Sequence, residues 1–140
     1  MIHKILLGYD GSASATLALE FALDLARRYE AELHLVAVAR PPDFGDEVES
    51  EAVIENSRRH YDKVLGTARA ALAREPIKSR TQVMVGHPTE QLLRYADSHG
   101  IDHIVVGYRG HSLFERLLIG SVARQVMAYA KCAVTVVRRR

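Results

Sequence analysis

The hexapeptide Asp102-His103-Ile104-Val105-Val106-Gly107 decides the fold. Its Ile104-Val105-Val106 centre is continuously apolar, without the alternation of a half-exposed strand, so it reads as a strand buried on both faces. Strands of that kind belong to parallel sheets with helices on each side. Upstream, Pro88 suits the first turn of a short helix that ends near His99-Gly100, where glycine takes the left-handed cap. Downstream, a glycine-spaced segment reaches Ser121 and enters a helix through about Ala130, and Val134 to Val137 reads as a last strand.

The first half repeats the alternation. Ile5-Leu6-Leu7-Gly8-Tyr9 is a short apolar strand closed by the turn chemistry of Asp10-Gly11-Ser12. From Ala13 to about Tyr29, Leu17, Phe21 and Leu25, with Leu19, Ala22 and Ala26, recur at helical spacing behind a cap at Ser12 or Ser14. Leu33 to Val38 is a second strand, stopped by Pro41-Pro42. Pro41 to Glu51 is acidic and reads as a loop, a helix follows from about Glu51 to Arg74, and Arg80 to Val85 is a third strand closed by Gly86. The order β-α-β-α-β-α-β-α-β predicts one α/β domain over residues 1–140, a doubly wound, Rossmann-like five-stranded parallel sheet. Its 140 residues suit a single domain.

Composition removes several classes. Hydrophobic content of 48% with 26% charged residues is that of a globular chain, and no apolar run approaches the ~18 residues of a membrane span. The apolar start has no small-residue cleavage site, so no signal peptide is expected. One cysteine, Cys132, excludes an internal disulfide and fits a reducing, cytoplasmic compartment; before a buried strand it reads as inert packing. A net charge of +2 argues against nucleic acid, as does the short Arg138-Arg139-Arg140 tract. The charge is unevenly spread: residues 1–70 hold 8 Lys/Arg against 12 Asp/Glu, residues 71–140 hold 11 against 5. A polyanion is expected to meet the second half. The seven histidines form no metal signature, since Gly100 separates His99 from His103.

A ligand site in such a sheet lies beyond the carboxyl ends of the strands, where strand order reverses. Two segments leave strands there: Gly8-Tyr9-Asp10-Gly11-Ser12, and the run from Val106-Gly107-Tyr108-Arg109-Gly110 to Ile119-Gly120-Ser121-Val122-Ala123. The latter run suits phosphates. Gly107 and Gly110 let backbone amides approach an anion and adopt positive φ, and Gly120-Ser121 opens a helix whose free amides favour negative charge. The Ser121 hydroxyl is placed to cap that helix or bond a phosphate oxygen, with Arg109, Arg116 and Arg124 nearby. Neither a Walker-type Gly-x4-Gly-Lys-Ser/Thr run nor a Gly-x-Gly-x2-Gly fingerprint occurs.

The spacing Gly107-x2-Gly110-x9-Gly120-Ser121, with Asp10-Gly11-Ser12, Gly86-His87-Pro88, Ile101 to Gly107 and Cys132 to Arg138, resembles the universal stress protein (UspA-type) family over nearly the whole chain. The resemblance implies an adenine nucleotide alpha hydrolase-like sheet, and ATP binding with Mg²⁺ or Mn²⁺. Gly8, Tyr9 and Asp10 then fall where the family contacts adenine, ribose and a bridging cation, Asp10 being the metal residue. Val38 falls where backbone meets the adenine ring. Val106, Gly107, Arg109, Gly110, Gly120, Ser121 and Val122 fall on ribose and phosphate positions. Ala133 departs from the proline many relatives carry after the cysteine, and Tyr9 is bulkier than the small residue of several relatives.

With strand order 3-2-1-4-5 the last strand is an edge, and the resemblance implies a homodimer through it. Turnover is another matter. His111, Ser112 and Glu115 lie in the glycine segment, yet none is fixed as a base, so slow ATP hydrolysis is the most the sequence allows and no catalytic residue is assigned. A phosphoacceptor receiver domain would need an aspartate at the end of strand three, which reads Val83-Met84-Val85-Gly86. An adenylating enzyme would want Ser-Gly-Gly-x-Asp-Ser after strand one, where Asp10-Gly11-Ser12-Ala13-Ser14 stands. The reading is an ATP-binding, regulatory stress-response domain; its rival is a scaffold acting through protein contacts, with nucleotide incidental.

Overall fold

The computed structural model describes residues 1–40, 47–109 and 119–138. The elements run β1 (Lys4–Gly8), α1 (Ala13–Tyr29), β2 (Glu32–Ala39), α2 (Glu47–Ala73), β3 (Ser79–Val85), α3 (Pro88–His99), β4 (His103–Gly107), α4 (Ser121–Tyr129) and β5 (Ala133–Val137). The five strands are parallel in the order β3-β2-β1-β4-β5. That is the expected α/β architecture. The order reverses beside β1, which pairs with β2 on one side and β4 on the other.

Two apolar layers fill the space above and below the sheet. One joins Ile5, Leu7, Leu33 and Leu35 to α1 and α2 through Ala18, Ala22, Leu65 and Leu72. The other joins Leu6, Val36, Ile104 and Val106 to α3 and α4 through Leu92, Ala96, Ala123 and Val126. Ile5, Leu6 and Leu7 are fully buried, as the central strand of a covered parallel sheet must be. Each such side chain contributes about 1.5–3 kcal/mol relative to exposure.

Local signals explain most boundaries. Ser12, not Ser14, caps α1: its Oγ accepts the Ala15 N–H at 3.1 Å. Pro88 opens α3, and Gly100 closes it in the left-handed region at φ 63°. One expectation fails. The acidic stretch read as loop to Glu51 is helical from Glu47, because acidic residues near a helix N-terminus are favoured by the macrodipole. Of the apolar residues that recur at helical spacing in α1, Leu19, Ala22 and Ala26 are buried and Leu25 packs on the same core, while Phe21 is 41% exposed. The face turned to the sheet is Ala15, Ala18, Leu19, Ala22, Leu23 and Ala26, whose small residues let the helix lie close.

Candidate functional site

At the carboxyl ends of β1, β2 and β4 the chain leaves a cleft of about 610 Å³. Three strand ends and the starts of α1, α3 and α4 converge on it. β1 and its turn supply Gly8, Tyr9, Asp10 and Ser12; β2 supplies Val36, Val38 and Arg40; the end of β4 supplies Val106, Gly107 and Arg109. Gly120, Ser121, Val122 and Arg124 come from the mouth of α4, and Pro88 and Leu92 from α3.

The β1 turn is held by short-range bonds. Tyr9 N–H donates to the Val36 carbonyl at 2.9 Å, extending the ladder one residue past the strand. Asp10 Oδ1 accepts the Ser12 N–H at 2.9 Å, an Asx turn that fixes the carboxylate at the cleft. Gly11 sits at φ +80° with Val64 of α2 against it, so the turn is shaped by glycine and backed by a second helix.

The β4 side is held across a longer gap. Tyr108 N–H donates to the Val137 carbonyl at 2.9 Å, and Gly120 N–H donates to the Tyr108 carbonyl at 2.8 Å. The latter bond brings the mouth of α4 back to the end of β4. Arg138 lies 4.4 Å over the Tyr108 ring, a cation–π contact. Thr89 Oγ1 donates to Gln125 Oε1 at 2.8 Å, tying α3 to α4.

Ten of the eleven residues named from sequence line this one cleft: Gly8, Tyr9, Asp10, Val38, Val106, Gly107, Arg109, Gly120, Ser121 and Val122. Gly110 lies outside the described residues, as do His111, Ser112, Glu115 and Arg116. Two local roles change. Gly107 does not take positive φ. A Cβ there would meet the backbone carbon and oxygen of Ser14 at 2.9 Å, so glycine is needed because the start of α1 crosses it. Ser121 is not the cap of α4: Gly120 is the N-cap in extended backbone, and Ser121 stands at the first helical position. Its hydroxyl therefore has no helix-capping duty.

Sequence reasoning missed Arg40 and Tyr61. Arg40 follows Val36 and Val38 at the strand period of two, which puts it on the same face. Tyr61 comes from α2, one turn before Val64, and only tertiary packing brings it to the cleft. Among the described residues that line the space, Arg40, Arg109 and Arg124 stand against one carboxylate, Asp10. The first amides of α4 have no acceptor within the helix and add the positive end of its dipole. Chemically the cleft has an apolar wall of Val36, Val38, Leu92 and Val106 and a rim suited to an anion. A ligand with a flat apolar part and a phosphate chain fits both.

Elsewhere, burial pushes the Cys132 thiol up against the weaker effect of backbone hydrogen bonds, which disfavours the reactive thiolate. His99 stacks on Tyr95 and His103 pairs with Thr135, and no cluster of three or more metal-ligating side chains occurs among the described residues. Nor is any helix among them long and apolar enough to cross a membrane.

A model described as "Universal stress protein family" matches residues 1–138. Universal stress protein YxiE of Bacillus subtilis is 31% identical, the match covering 99% of this chain and all of that protein. The structure is similar to universal stress protein UspA from Lactobacillus plantarum at TM-score 0.89 and 25% identity, over 97% of each chain. A universal stress protein solved in complex with cAMP matches at TM-score 0.67 and 26% identity, over 98% of this chain and 97% of that one.

Proposed function

The chain belongs to the universal stress protein family, and we propose that within it this protein is an ATP-binding regulatory domain of the cytoplasm. One observation carries the reading: ten of the residues to which the family resemblance gives adenine, ribose and phosphate positions line one cleft, with Arg40, Arg109 and Arg124 on it among the described residues. The similar protein solved with cAMP supports an adenine nucleotide as the ligand class. The phosphates lie toward Gly120, Ser121, Arg109 and Arg124, and the base lies against Val38 and the β1 turn.

A divalent cation, Mg²⁺ or Mn²⁺, fits as part of the ligand. Asp10 is the single carboxylate on the cleft among the described residues, and Mg²⁺ is commonly held by one or two carboxylates together with substrate phosphates and water. Bound there, the ion would neutralise phosphate charge, while this chain's part is to hold Asp10 in its Asx turn beside the phosphate rim.

Assembly is the other element of the proposal. β5 is a sheet edge whose Val134 to Val137 are half-exposed, and α1 and α4, which both touch it, carry exposed Phe21 and Met127. Pairing of β5 with the same strand of another copy covers that edge. Sedimentation at micromolar concentration tests it: a dimer is expected, and a monomer overturns this element.

The nucleotide reading is tested by titrating ATP and GTP, each with Mg²⁺. Adenine and guanine exchange donors and acceptors on the purine edge, and an unpaired buried group costs about 1–3 kcal/mol. ATP should bind at least several-fold tighter. Equal affinity would remove the placement of the base at Val38. Absence of binding to either would leave the scaffold reading in its place.

A further inference from the structure

β2 carries one imidazole through an apolar core. His34 is 1% exposed between the fully buried Leu33 and Leu35. Its Nδ1 lies 2.6 Å from Tyr95 Oη on α3, and its Nε2 lies 3.1 Å from Glu32 Oε1 on its own strand. Arg80 Nε, on β3, stands 3.2 Å from the same carboxylate oxygen. His99 of α3 stacks on the Tyr95 ring at 3.8 Å and meets the His34 ring edge-on at 5.8 Å. From β1, Lys4 Nζ donates to the His99 carbonyl at 3.2 Å. β2, β3 and α3 thus surround His34 with Glu32, Arg80, Tyr95 and His99, and Lys4 of β1 holds the backbone of His99.

The cluster is unfinished as a hydrogen-bond network. His34 Nε2 and Glu32 Oε1 are both buried, and neither has an aligned hydrogen-bond partner despite their short separation. Only one neutral tautomer suits both neighbours. The carboxylate accepts only, so the hydrogen belongs on Nε2, and Nδ1 then accepts from the Tyr95 hydroxyl. A further proton makes both ring nitrogens donors. The Tyr95 hydroxyl must then reverse, and a buried positive charge faces Arg80 and His99, with Glu32 as the counter-charge. Burial is the largest influence and holds His34 below the ordinary histidine value; Glu32 opposes it, while Arg80 and His99 reinforce it. Burial likewise raises the Tyr95 phenol.

The cluster joins two walls of the cleft. β2 continues from His34 to Val36, Val38 and Arg40, and α3 reaches back from Tyr95 to Leu92 and Pro88. Leu92 and Tyr95 are buried together on one face of that helix. We propose that His34 and Tyr95 form a proton-sensitive clamp that positions α3 against β2, so that acid loosens α3 and weakens ligand binding between them. The effect on binding rests on the nucleotide reading of the cleft; the loosening of α3 does not.

The clamp is tested first without ligand, by amide hydrogen exchange at pH 7.5 and 5.5, corrected for the intrinsic rate. In the wild type, protection of Leu92, Tyr95 and Ala96 should fall about tenfold more than that of Ala22 and Leu23 in α1. His34→Gln, which keeps a polar side chain at the position but does not titrate, should abolish that difference. Glu32→Gln removes the counter-charge and should move the loosening to lower pH, which serves if His34→Gln does not fold. Equal changes in α3 and α1, or the same loss in His34→Gln, overturn the clamp. With Mg-ATP as probe, the ratio of dissociation constants at pH 5.5 and 7.5 should be about tenfold larger in the wild type than in His34→Gln. Equal ratios overturn the coupling to the cleft. Failure of Mg-ATP to bind at either pH defeats the nucleotide reading instead, and hydrogen exchange still decides the clamp.

Discussion

At the carboxyl ends of the strands the cleft is shaped largely by backbone: the Asx turn at Asp10, the close crossing at Gly107, the extended cap at Gly120 and the first amides of α4. At the amino ends of β2 and β3, the counterpart is made of side chains: His34, Glu32, Arg80, Tyr95 and His99 packed at contact distance. The two regions use polarity in opposite ways. The cleft leaves its polar groups facing a space a ligand can enter, whereas the histidine cluster buries His34 and Tyr95 behind the more exposed Arg80 and His99. The first region should therefore respond mainly to changes of shape, and the other mainly to changes of protonation.

The largest expected effect is at Gly107. A side chain there presses on Ser14 backbone at 2.9 Å, and α1 must shift to admit it. Gly107→Val should destabilise by about 1–3 kcal/mol, the ordinary range for overpacking. Gly8→Ala sharpens the point: its Cβ would also come within 2.9 Å of a neighbour, but that neighbour is the end of the Leu92 side chain, which can turn aside. Chemical denaturation should rank Gly107→Val well below Gly8→Ala. Equal losses would mean that the start of α1 is as pliable as a leucine side chain.

Next come the guanidinium groups. Arg124→Ala and Arg40→Ala should each weaken Mg-ATP about tenfold, near 1.4 kcal/mol, with little change in stability, because both side chains are exposed at the cleft rim. Arg28→Ala, on α1 and paired with Asp24, is the charge control and should leave affinity unchanged. If all three weaken binding alike, the attraction is a diffuse field and the cleft does not read the phosphates.

Caps separate stability from binding at a smaller scale. Ser12→Ala removes the Oγ that accepts the Ala15 N–H and should lower stability by about 1 kcal/mol. Ser121→Ala removes a hydroxyl that caps nothing, so its stability should match the wild type in thermal melts. A matching loss in both variants would restore Ser121 as a structural cap.

The contrast between the two regions also explains what was legible in the sequence. Strands such as Ile104-Val105-Val106 announce double burial in their own composition, and Ser12, Pro88 and Gly100 mark helix ends by local chemistry. The glycine spacing from Gly107 to Ser121 pointed to the cleft chiefly through its resemblance to a family pattern; Gly107, Gly120 and Ser121 line the cleft, and Gly110 lies outside the described residues. Tyr61 had no such mark, since it reaches the cleft only when α2 packs on the β1 turn. Ser121 resembled a cap because serine usually is one, but Gly120 takes the cap position. His34 was the least visible: one histidine inside Leu33-His34-Leu35 carries no local sign that Tyr95, 61 residues away, will meet it.

The smallest effect concerns another histidine, one with a satisfied partner. His103 Nε2 lies 2.7 Å from Thr135 Oγ1, joining β4 to the edge strand β5. Burial lowers its pKa below the ordinary value, and Asp102 only partly opposes this. The native protein thus takes up this proton at lower pH than the unfolded chain does. The contribution is fully present above the unfolded value near 6.5 and is lost as pH falls through the native one. Urea midpoints of the wild type should accordingly fall between pH 7.5 and 5.5 more steeply than those of His103→Gln, at equal denaturant slope. His34 titrates in both proteins, so the difference between the curves isolates His103. Parallel curves would mean that the hydroxyl of Thr135 stabilises both forms of the ring equally, leaving His34 as the acid-sensitive one of these two histidines.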